Sequence, residues 1–211
     1  MRSRLFSSTL AIAAAVALSA TLAAQAPQGP PPGAQGGGGG RGGGRGGFGL
    51  VPMLLESDAY ADGAIIPVKY AGAGGSTMPG FKITGAPMTA VSFAVIFHDI
   101  EPSLGDPPAD VLHALFWNVP AASAGWSEGP SDGSKMPAGT VMGANQQKKP
   151  TYMGPGAPAG PRFHHYIFEV YALNANLDIP PTATREEFYK ALSGKVVAKA
   201  AYVGRYRSEP K

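Results

Sequence analysis

Short apolar runs, separated by Gly, Pro, Asp and Asn, recur along the chain after residue 50. Their length and their content of β-branched and aromatic residues are typical of strands. They cover Ala64–Tyr70, Val91–His98, Val111–Val119, His164–Leu173 and Val196–Arg207. Strand-like runs at this spacing predict a mostly β domain over residues 50–211.

The clearest of these runs is Ser92–Phe97, which is rich in β-branched and aromatic residues. Pro87 precedes it and Pro102 follows it. Because proline cannot donate a hydrogen bond to a neighbouring strand, the two prolines are expected to bound this strand.

One helix is predicted near the C-terminus. Thr184 and Glu187 have the spacing of a capping box, and Thr182 is a second candidate for the N-cap. The helix then covers Arg185–Leu192 with its apolar residues on one face, and Gly194 ends it. The apolar run that follows is the closing strand of the domain.

A loop rich in Gly and Pro, residues 153–161, leads into the strand His164–Leu173. Along that strand His164 and Tyr166 point to one side and His165 to the other. A rigid loop that places His and Tyr at the start of a strand can build a small polar pocket. An ordinary turn before a core strand, with His164 as a satisfied polar residue, fits this stretch equally well.

Charge and cysteine content exclude several classes of function. Four of the 17 Lys and Arg lie before residue 50 and all 14 Asp and Glu lie after it, so the later part carries 17 − 4 = 13 basic and 14 acidic residues. A nearly neutral domain has no electrostatic footprint for nucleic acid. The absence of cysteine excludes disulfides, thiolate metal sites, a cysteine nucleophile and the usual lipid anchor.

Residues 1–24 have the three parts of a secretory signal peptide. Arg2 and Arg4 are the positive part, Leu10–Leu18 is an apolar part too short to span a bilayer, and small residues precede Gln25 and Pro27. The alternatives are a membrane anchor or a buried helix. We expect a secreted or periplasmic protein without stable membrane insertion after cleavage.

Residues 25–49 contain 13 Gly and 4 Pro among 25 residues. Such a segment has too little apolar surface to offset the entropy of ordering it, so a disordered linker is predicted. Arg41 and Arg45 lie among the glycines, but two arginines are too few for an RNA-binding segment.

Candidate chemistry is limited to a few polar residues at the ends of predicted strands. Asp99, His113 and His164 could converge in one pocket, and a metal site of these three stays open. Equally, Asp99 could begin a turn and His113 could be a hydrogen-bonded core residue. The sequence has no P-loop, no strand–GxGxxG–helix motif, no Gly-x-Ser-x-Gly and no HExxH, so no cofactor is expected.

Taken together, several segments in order resemble the phosphatidylethanolamine-binding protein family, and most of all its bacterial Raf-kinase-inhibitor-like branch. The resemblance covers roughly residues 64–207 and is carried by the segments Phe93–Pro102, His113–Pro120, Gly143–Asn145, Tyr152–Gly160, His164–Phe168 and Tyr171–Leu173. It implies a central β-sheet packed against a second, smaller sheet, with one or two short helices near the C-terminus. It also implies a pocket for phosphate-like anions.

By position, the resemblance assigns the ligand-binding residues of that pocket. They are Asp99, Glu101, His113, Gly156, Ala157, Pro158, His164 and Tyr166. The sequence departs from the family in two places. The family's Asp-Pro-Asp-Ala-Pro is here Asp99-Ile100-Glu101-Pro102-Ser103, and the Arg of its His-Arg-Tyr motif, which normally makes structural ion pairs, is here His165.

Three functions follow as hypotheses. The first is an exported, non-enzymatic protein that binds a small phosphate-type or other anionic ligand. The second is a hydrolase or other enzyme using His113, His164 and Asp99, although no nucleophile is evident. The third is an envelope inhibitor or scaffold that binds a protein partner through the rim of the pocket.

Overall fold

The computed structural model describes residues 53–105 and 109–210. The predicted signal peptide and the predicted linker lie outside the described residues. The strands are β1 Leu54–Glu56, β2 Phe81–Thr84, β3 Ser92–Leu104, β4 Ala109–Pro120, β5 Gly125–Trp126, β6 Val141–Gly143, β7 His164–Leu173 and β8 Val196–Tyr206. The helix α1 covers Arg185–Leu192, and short 3-10 turns cover Val68–Tyr70, Gly72–Gly74 and Ala121–Ser123.

The strands form two antiparallel sheets. The larger sheet has five strands in the order β6-β4-β3-β7-β8, and the smaller has three in the order β1-β2-β5. The small sheet packs on one face of the large sheet and α1 packs on the other. The prediction of a mostly β fold with a central sheet and a smaller second sheet is therefore confirmed.

The central strand β3 is buried on both faces, which explains its unbroken apolar sequence. Phe93, Val95 and Phe97 belong to the core shared with the small sheet, whereas Ala94 and Ile96 belong to the core under α1. Alternate residues of one strand thus supply two hydrophobic cores. Burial of both faces of β3 fixes the register of the strands on either side of it.

The predicted helix boundaries are confirmed. The Thr184 hydroxyl accepts a hydrogen bond from the Glu187 backbone N–H, and the Glu187 carboxylate accepts one from the Thr184 N–H. This capping box satisfies two backbone donors at the start of α1. Phe188 and Leu192 turn inward onto the large sheet.

Two strand predictions need correction. Within Ala64–Tyr70, Ile65 makes a single bridge to Arg205, and Val68–Tyr70 is a 3-10 turn. Pro67 begins that turn, and its carbonyl accepts the Tyr70 N–H. Because proline lacks the N–H that a continuing strand would need, the chain turns here instead.

The second correction concerns the end of β3, which was expected before Pro102 and extends to Leu104. The pairing of β3 with β7 ends at Asp99, and the pairing with β4 is irregular between Asp99 and Leu104. Pro102 therefore lies where β3 has lost its regular partners, so the missing N–H costs no ladder hydrogen bond.

Candidate functional site

A cavity of about 790 Å³ opens where β3, β4 and β7 meet. Asp99 of β3, His113 of β4, and His164 and Tyr166 of β7 all line it. The three strands are neighbours in the large sheet, and Asp99 pairs with Tyr166 on one side and with Val111 on the other. The tertiary structure thus brings together the polar residues that the sequence placed near strand ends.

The loop before β7 forms one wall of the same cavity through Gly156, Ala157 and Pro158. Glu101, which was expected at the site, is not among the lining residues. The remaining lining residues are Gly72, Gly75, Ser76, Pro102, Val111, Ser131, Gln147, Lys149, Thr151, Tyr152, Met153 and Gly154. Ligand binding by the expected residues stays a prediction.

The His113 ring is oriented by a hydrogen bond to a backbone carbonyl. Its Nδ1 lies 2.7 Å from the Met153 carbonyl oxygen. A carbonyl oxygen only accepts, so Nδ1 carries the proton and Nε2 of the neutral ring carries a lone pair. Burial lowers the pKa of His113, although the Met153 carbonyl and the Asp99 charge act in the opposite direction. The ring is therefore held in its neutral form.

The His164 ring is oriented by a carboxylate. Its Nδ1 lies 2.8 Å from Asp99 Oδ2, and the side chain of Asp99 is only 5% exposed. Asp99 Oδ1 accepts the backbone N–H of Glu101, at 3.2 Å. Because the ionised carboxylate can only accept, Nδ1 of His164 donates and Nε2 points away from Asp99. This His–Asp pair fixes both the tautomer and the direction of the ring.

Tyr166 joins the strand to the loop wall. Its hydroxyl oxygen accepts the backbone N–H groups of Gly156, at 3.3 Å, and Ala157, at 3.1 Å. Its ring centroid lies 5.1 Å from that of His113 and 6.5 Å from that of His164. Burial and, after it, the Asp99 charge raise the pKa of Tyr166, so the phenol keeps its proton.

A stacked aromatic group supports the floor of the pocket. The Phe97 ring stacks on Phe168, with centroids 4.0 Å apart, and on Tyr152, with centroids 5.3 Å apart. The Phe97 and His113 rings pack edge to face, with centroids 5.6 Å apart. Because Phe97 is buried and packed against the His113 ring, it restricts the rotation of that ring.

Glu101 contacts the neighbouring histidine instead of the cavity. One carboxylate oxygen accepts the His165 backbone N–H and the other lies against His165 Nδ1, both at 2.6 Å. Burial acts to raise the pKa of Glu101, but the hydrogen bonds from His165 outweigh it and lower the pKa. His165, which stands where the family has Arg, therefore makes two hydrogen bonds to an acid at this position.

The metal set considered from the sequence, with His113, is not the one that the geometry favours. Among residues 53–105 and 109–210, Asp99, Glu101 and His164 place one ligand atom each within 4.8 Å of one another. All three are already hydrogen-bonded within the protein. A metal ion would have to displace those bonds.

Two contributors to the site were missed from the sequence. Lys149 lies at the rim, and the Met153 carbonyl orients His113. The adjacent lysines 148 and 149 in a loop of polar residues were a usable signal for the first. A backbone carbonyl has no signature in a sequence, so the second was not predictable.

A second cavity, of about 550 Å³, lies against the small sheet and has a different chemistry. Glu56, Asp58 and Glu128 line it together with Lys82. Lys82 pairs with Glu56, and Lys69 pairs with Glu128. An excess of carboxylates makes this cavity a poor candidate for an anion.

Comparison with known proteins agrees with this fold. The family model described as phosphatidylethanolamine-binding protein matches residues 56–207. A UPF0098 protein of Methanothermobacter thermautotrophicus is 35% identical over 156 residues, which are 74% of this chain and 99% of that protein. A Mycobacterium tuberculosis protein whose name describes it as a candidate lipoprotein, LppC, is 31% identical over 74% of this chain and 72% of its own length.

A solved structure shows the same architecture. The phosphatidylethanolamine-binding protein homologue CT736 of Chlamydia trachomatis superposes with a TM-score of 0.65 at 26% identity, over 75% of this chain and 99% of its own. Among the described residues no helix is both long and apolar enough to cross a membrane. The family match, the sequence relatives and the shared fold lead to one conclusion: the chain belongs to the phosphatidylethanolamine-binding protein family.

Proposed function

We propose that the protein is an exported, non-enzymatic binding protein whose pocket takes a small phosphate-type anion. The observation that carries this proposal is the pair of imidazoles, His113 and His164. Each is fixed through Nδ1, and neither Nε2 has a hydrogen-bond partner among the described residues. Two oriented ring nitrogens in one cavity suit a ligand with several oxygen atoms.

We infer from the charges around the cavity that anion binding is coupled to proton uptake. Asp99 is a buried carboxylate beneath His164, and Lys149 supplies a positive charge at the rim. A neutral imidazole whose Nδ1 is already a donor offers only a lone pair at Nε2. An additional proton on a ring or on the ligand is needed before Nε2 and a phosphate oxygen can share a hydrogen bond. Affinity is therefore expected to rise as the pH falls.

Calorimetric titration with phosphate and phosphoethanolamine tests the proposal. His164→Ala should weaken binding by about 1.5–3 kcal/mol, because a hydrogen bond to a charged group is lost. His165→Ala is the matched control, since it removes the same ring from the next residue, whose side chain binds Glu101 outside the cavity. If the wild-type protein bound neither phosphate nor phosphoethanolamine, the proposed function would be refuted.

A hydrolase is the second candidate, and the His164–Asp99 pair is the observation that favours it. A histidine oriented by a carboxylate can act as a general base through Nε2. Neither serine that lines the cavity completes such an arrangement. Ser76 Oγ accepts the Gly154 N–H, at 3.0 Å, and neither Ser76 nor Ser131 makes a hydrogen bond to an imidazole among the described residues. Turnover of phosphoesters or peptides that is lost in His164→Ala would favour the enzyme.

Export is part of the same proposal and rests on residues 1–24. The chain is expected to be cleaved before Gln25 or Pro27, which leaves the glycine-rich segment as a tether. N-terminal sequencing of the secreted or periplasmic fraction tests this. Recovery of Met1 from that fraction would contradict it. Limited trypsin digestion should then cut after Arg41 and Arg45 and leave a folded fragment.

A further inference from the structure

The two hydrophobic cores leave one end of the large sheet uncovered, on the face where α1 packs. Tyr171 and Leu173, at the end of β7, belong with Phe188 to the core under the helix. Toward the start of β7, Ile167 pairs in register with Val203 of β8, and both side chains are half-buried. Neither of them belongs to either core. This end of the sheet face therefore reaches the surface and can contact a partner.

Two arginines at this open end share one aromatic ring. The guanidinium carbon of Arg205 lies 5.7 Å from the centroid of the Phe163 ring, and that of Arg207 lies 4.5 Å from the same centroid. Residues two apart on an extended chain point to the same side of a sheet. Cation–π contact with the ring restricts both side chains. Less conformational entropy is therefore lost when their guanidinium groups bind a partner.

The charges of these arginines are not neutralised within the described part of the chain. Arg205 Nε donates to the Gly63 carbonyl oxygen, at 2.9 Å, and Arg207 Nη1 donates to the Gly160 carbonyl oxygen, at 2.8 Å. Arg162, which is exposed, adds a third positive charge directly before the ring in sequence. None of the three forms an ion pair with a described carboxylate. The three arginines, with the phenyl ring that two of them share, form the arginine patch.

The acids that lie nearest along the paired segments do not balance this charge. Asp62 Oδ1 accepts the Val203 N–H, at 2.7 Å, and Glu101 is bound to His165. Glu209, which is exposed near the C-terminus, forms no ion pair among the described residues. The patch is therefore a local excess of positive charge on a nearly neutral domain, and it is complementary to an acidic surface.

We propose that the arginine patch is a docking surface for an acidic segment of a protein partner. Carboxylates of that segment pair with the guanidinium groups, whose remaining N–H donors suit a carboxylate in a bidentate arrangement. Apolar side chains of the same segment lie against Ile167 and Val203. This surface is distinct from the cavity, so the inference does not rest on the proposed function.

A membrane and a nucleic acid fit the patch less well. Stable binding to a bilayer surface needs an exposed apolar anchor in addition to basic residues. Phe163 is half-buried and in contact with the guanidinium groups, so it does not supply such an anchor. Three arginines are also too few to follow the phosphates of a nucleic acid strand. Two guanidinium groups restricted by one ring instead suit neighbouring carboxylates of a peptide.

Fluorescence anisotropy of a labelled oligoglutamate peptide, titrated with the full chain in low-salt buffer, tests the inference. Arg207→Ala should weaken binding by roughly threefold or more, since an ion pair is lost. Lys190→Ala is the matched control: it removes one charge from an exposed residue of α1 that forms no ion pair among the described residues, and it should leave the affinity unchanged.

Two further measurements separate this surface from its alternatives. Phe163→Leu keeps all three arginines but removes the ring, so it should weaken binding if the ring restricts the guanidinium groups. Inorganic phosphate at matched ionic strength should not displace the peptide, because the cavity lies elsewhere. Phosphatidylglycerol vesicles and oligothymidylate, measured with the same variants, should bind more weakly than the peptide.

Several results would overturn the inference. They are no binding of oligoglutamate by wild-type protein, equal losses in Arg207→Ala and Lys190→Ala, and wild-type affinity in Phe163→Leu. Displacement of the peptide by phosphate would place it in the cavity, and tighter binding of the vesicles or of oligothymidylate would assign the patch to another partner. Each of these leaves the proposed function intact, since that is tested with phosphate and phosphoethanolamine. If Phe163→Leu does not fold, the arginine and lysine variants decide the question.

Discussion

Glu101 and His165 are joined by two hydrogen bonds outside the pocket. One oxygen of the Glu101 carboxylate accepts the His165 backbone N–H and the other lies against His165 Nδ1, each at 2.6 Å. The adjacent histidine is paired in a similar way, since His164 binds Asp99. Two consecutive residues of β7 are therefore attached to β3 by two different acids. One pair faces the cavity, and the other holds the strand that presents it.

We expect Glu101→Gln to destabilise the fold by about 1 kcal/mol at neutral pH, because charge-assisted hydrogen bonds become neutral ones. Hydrogen bonds from His165 lower the pKa of Glu101 below its unfolded value, so this stabilisation is present above the unfolded pKa. It is lost as the pH falls through the lower, folded-state pKa. Urea denaturation at neutral and acidic pH measures the difference, which should vanish in acid. A difference that persists there would show that charge is not the cause.

A second prediction compares two glycines of the same loop wall. A Cβ at Gly154 would lie 2.6 Å from backbone atoms of Tyr70, Ala71 and Gly72, whereas a Cβ at Gly156 meets nothing within 4 Å. Gly154→Ala should cost roughly 1–3 kcal/mol, since backbone cannot move aside as a side chain can. Gly156→Ala is the matched control and should be neutral or slightly stabilising. Thermal melts of the two variants decide this, and equal losses would contradict it.

Stability should also depend on the protonation of His113. Burial lowers the pKa of His113, so the unfolded chain takes up its proton first, below about pH 6.5. The contribution of this residue is therefore complete above that pH and declines as the pH falls toward the folded-state pKa. In His113→Asn this part of the pH dependence should disappear from denaturation curves measured across that range. An unchanged slope would mean that other groups cause it.

The start of α1 offers a test with a control two residues away. Thr184 makes the capping box with Glu187, whereas the side chain of Thr182 makes no hydrogen bond among the described residues. Thr184→Ala should lower the free energy of unfolding by about 1 kcal/mol. Thr182→Ala should change it by less than about 0.5 kcal/mol, as an exposed residue without such a role does. Equal effects of the two substitutions would mean that Thr184 is not the dominant N-cap of α1 and that Thr182 contributes as much.

Much of the fold was determined by local patterns in the sequence. The doubly buried β3, the alternating β7 and the capped α1 could be identified because backbone hydrogen bonding and burial repeat within a few residues. The pattern was misleading where Pro67 turns the chain into Val68–Tyr70. An apolar run has the same composition whether or not it has a neighbouring strand to pair with.

The geometry of the site could be predicted from the sequence less completely than the fold, because it depends more on tertiary structure. The sequence named Asp99, His113 and His164, but their partners lie far along the chain: 40 residues separate His113 from Met153, and 65 separate Asp99 from His164. The direction of each Nε2, and the diversion of Glu101 to His165, follow from strand register and from the irregular end of β3. Residue types state which atoms can donate or accept. Only the packing of distant strands decides which of those atoms are already used and which are left for a ligand.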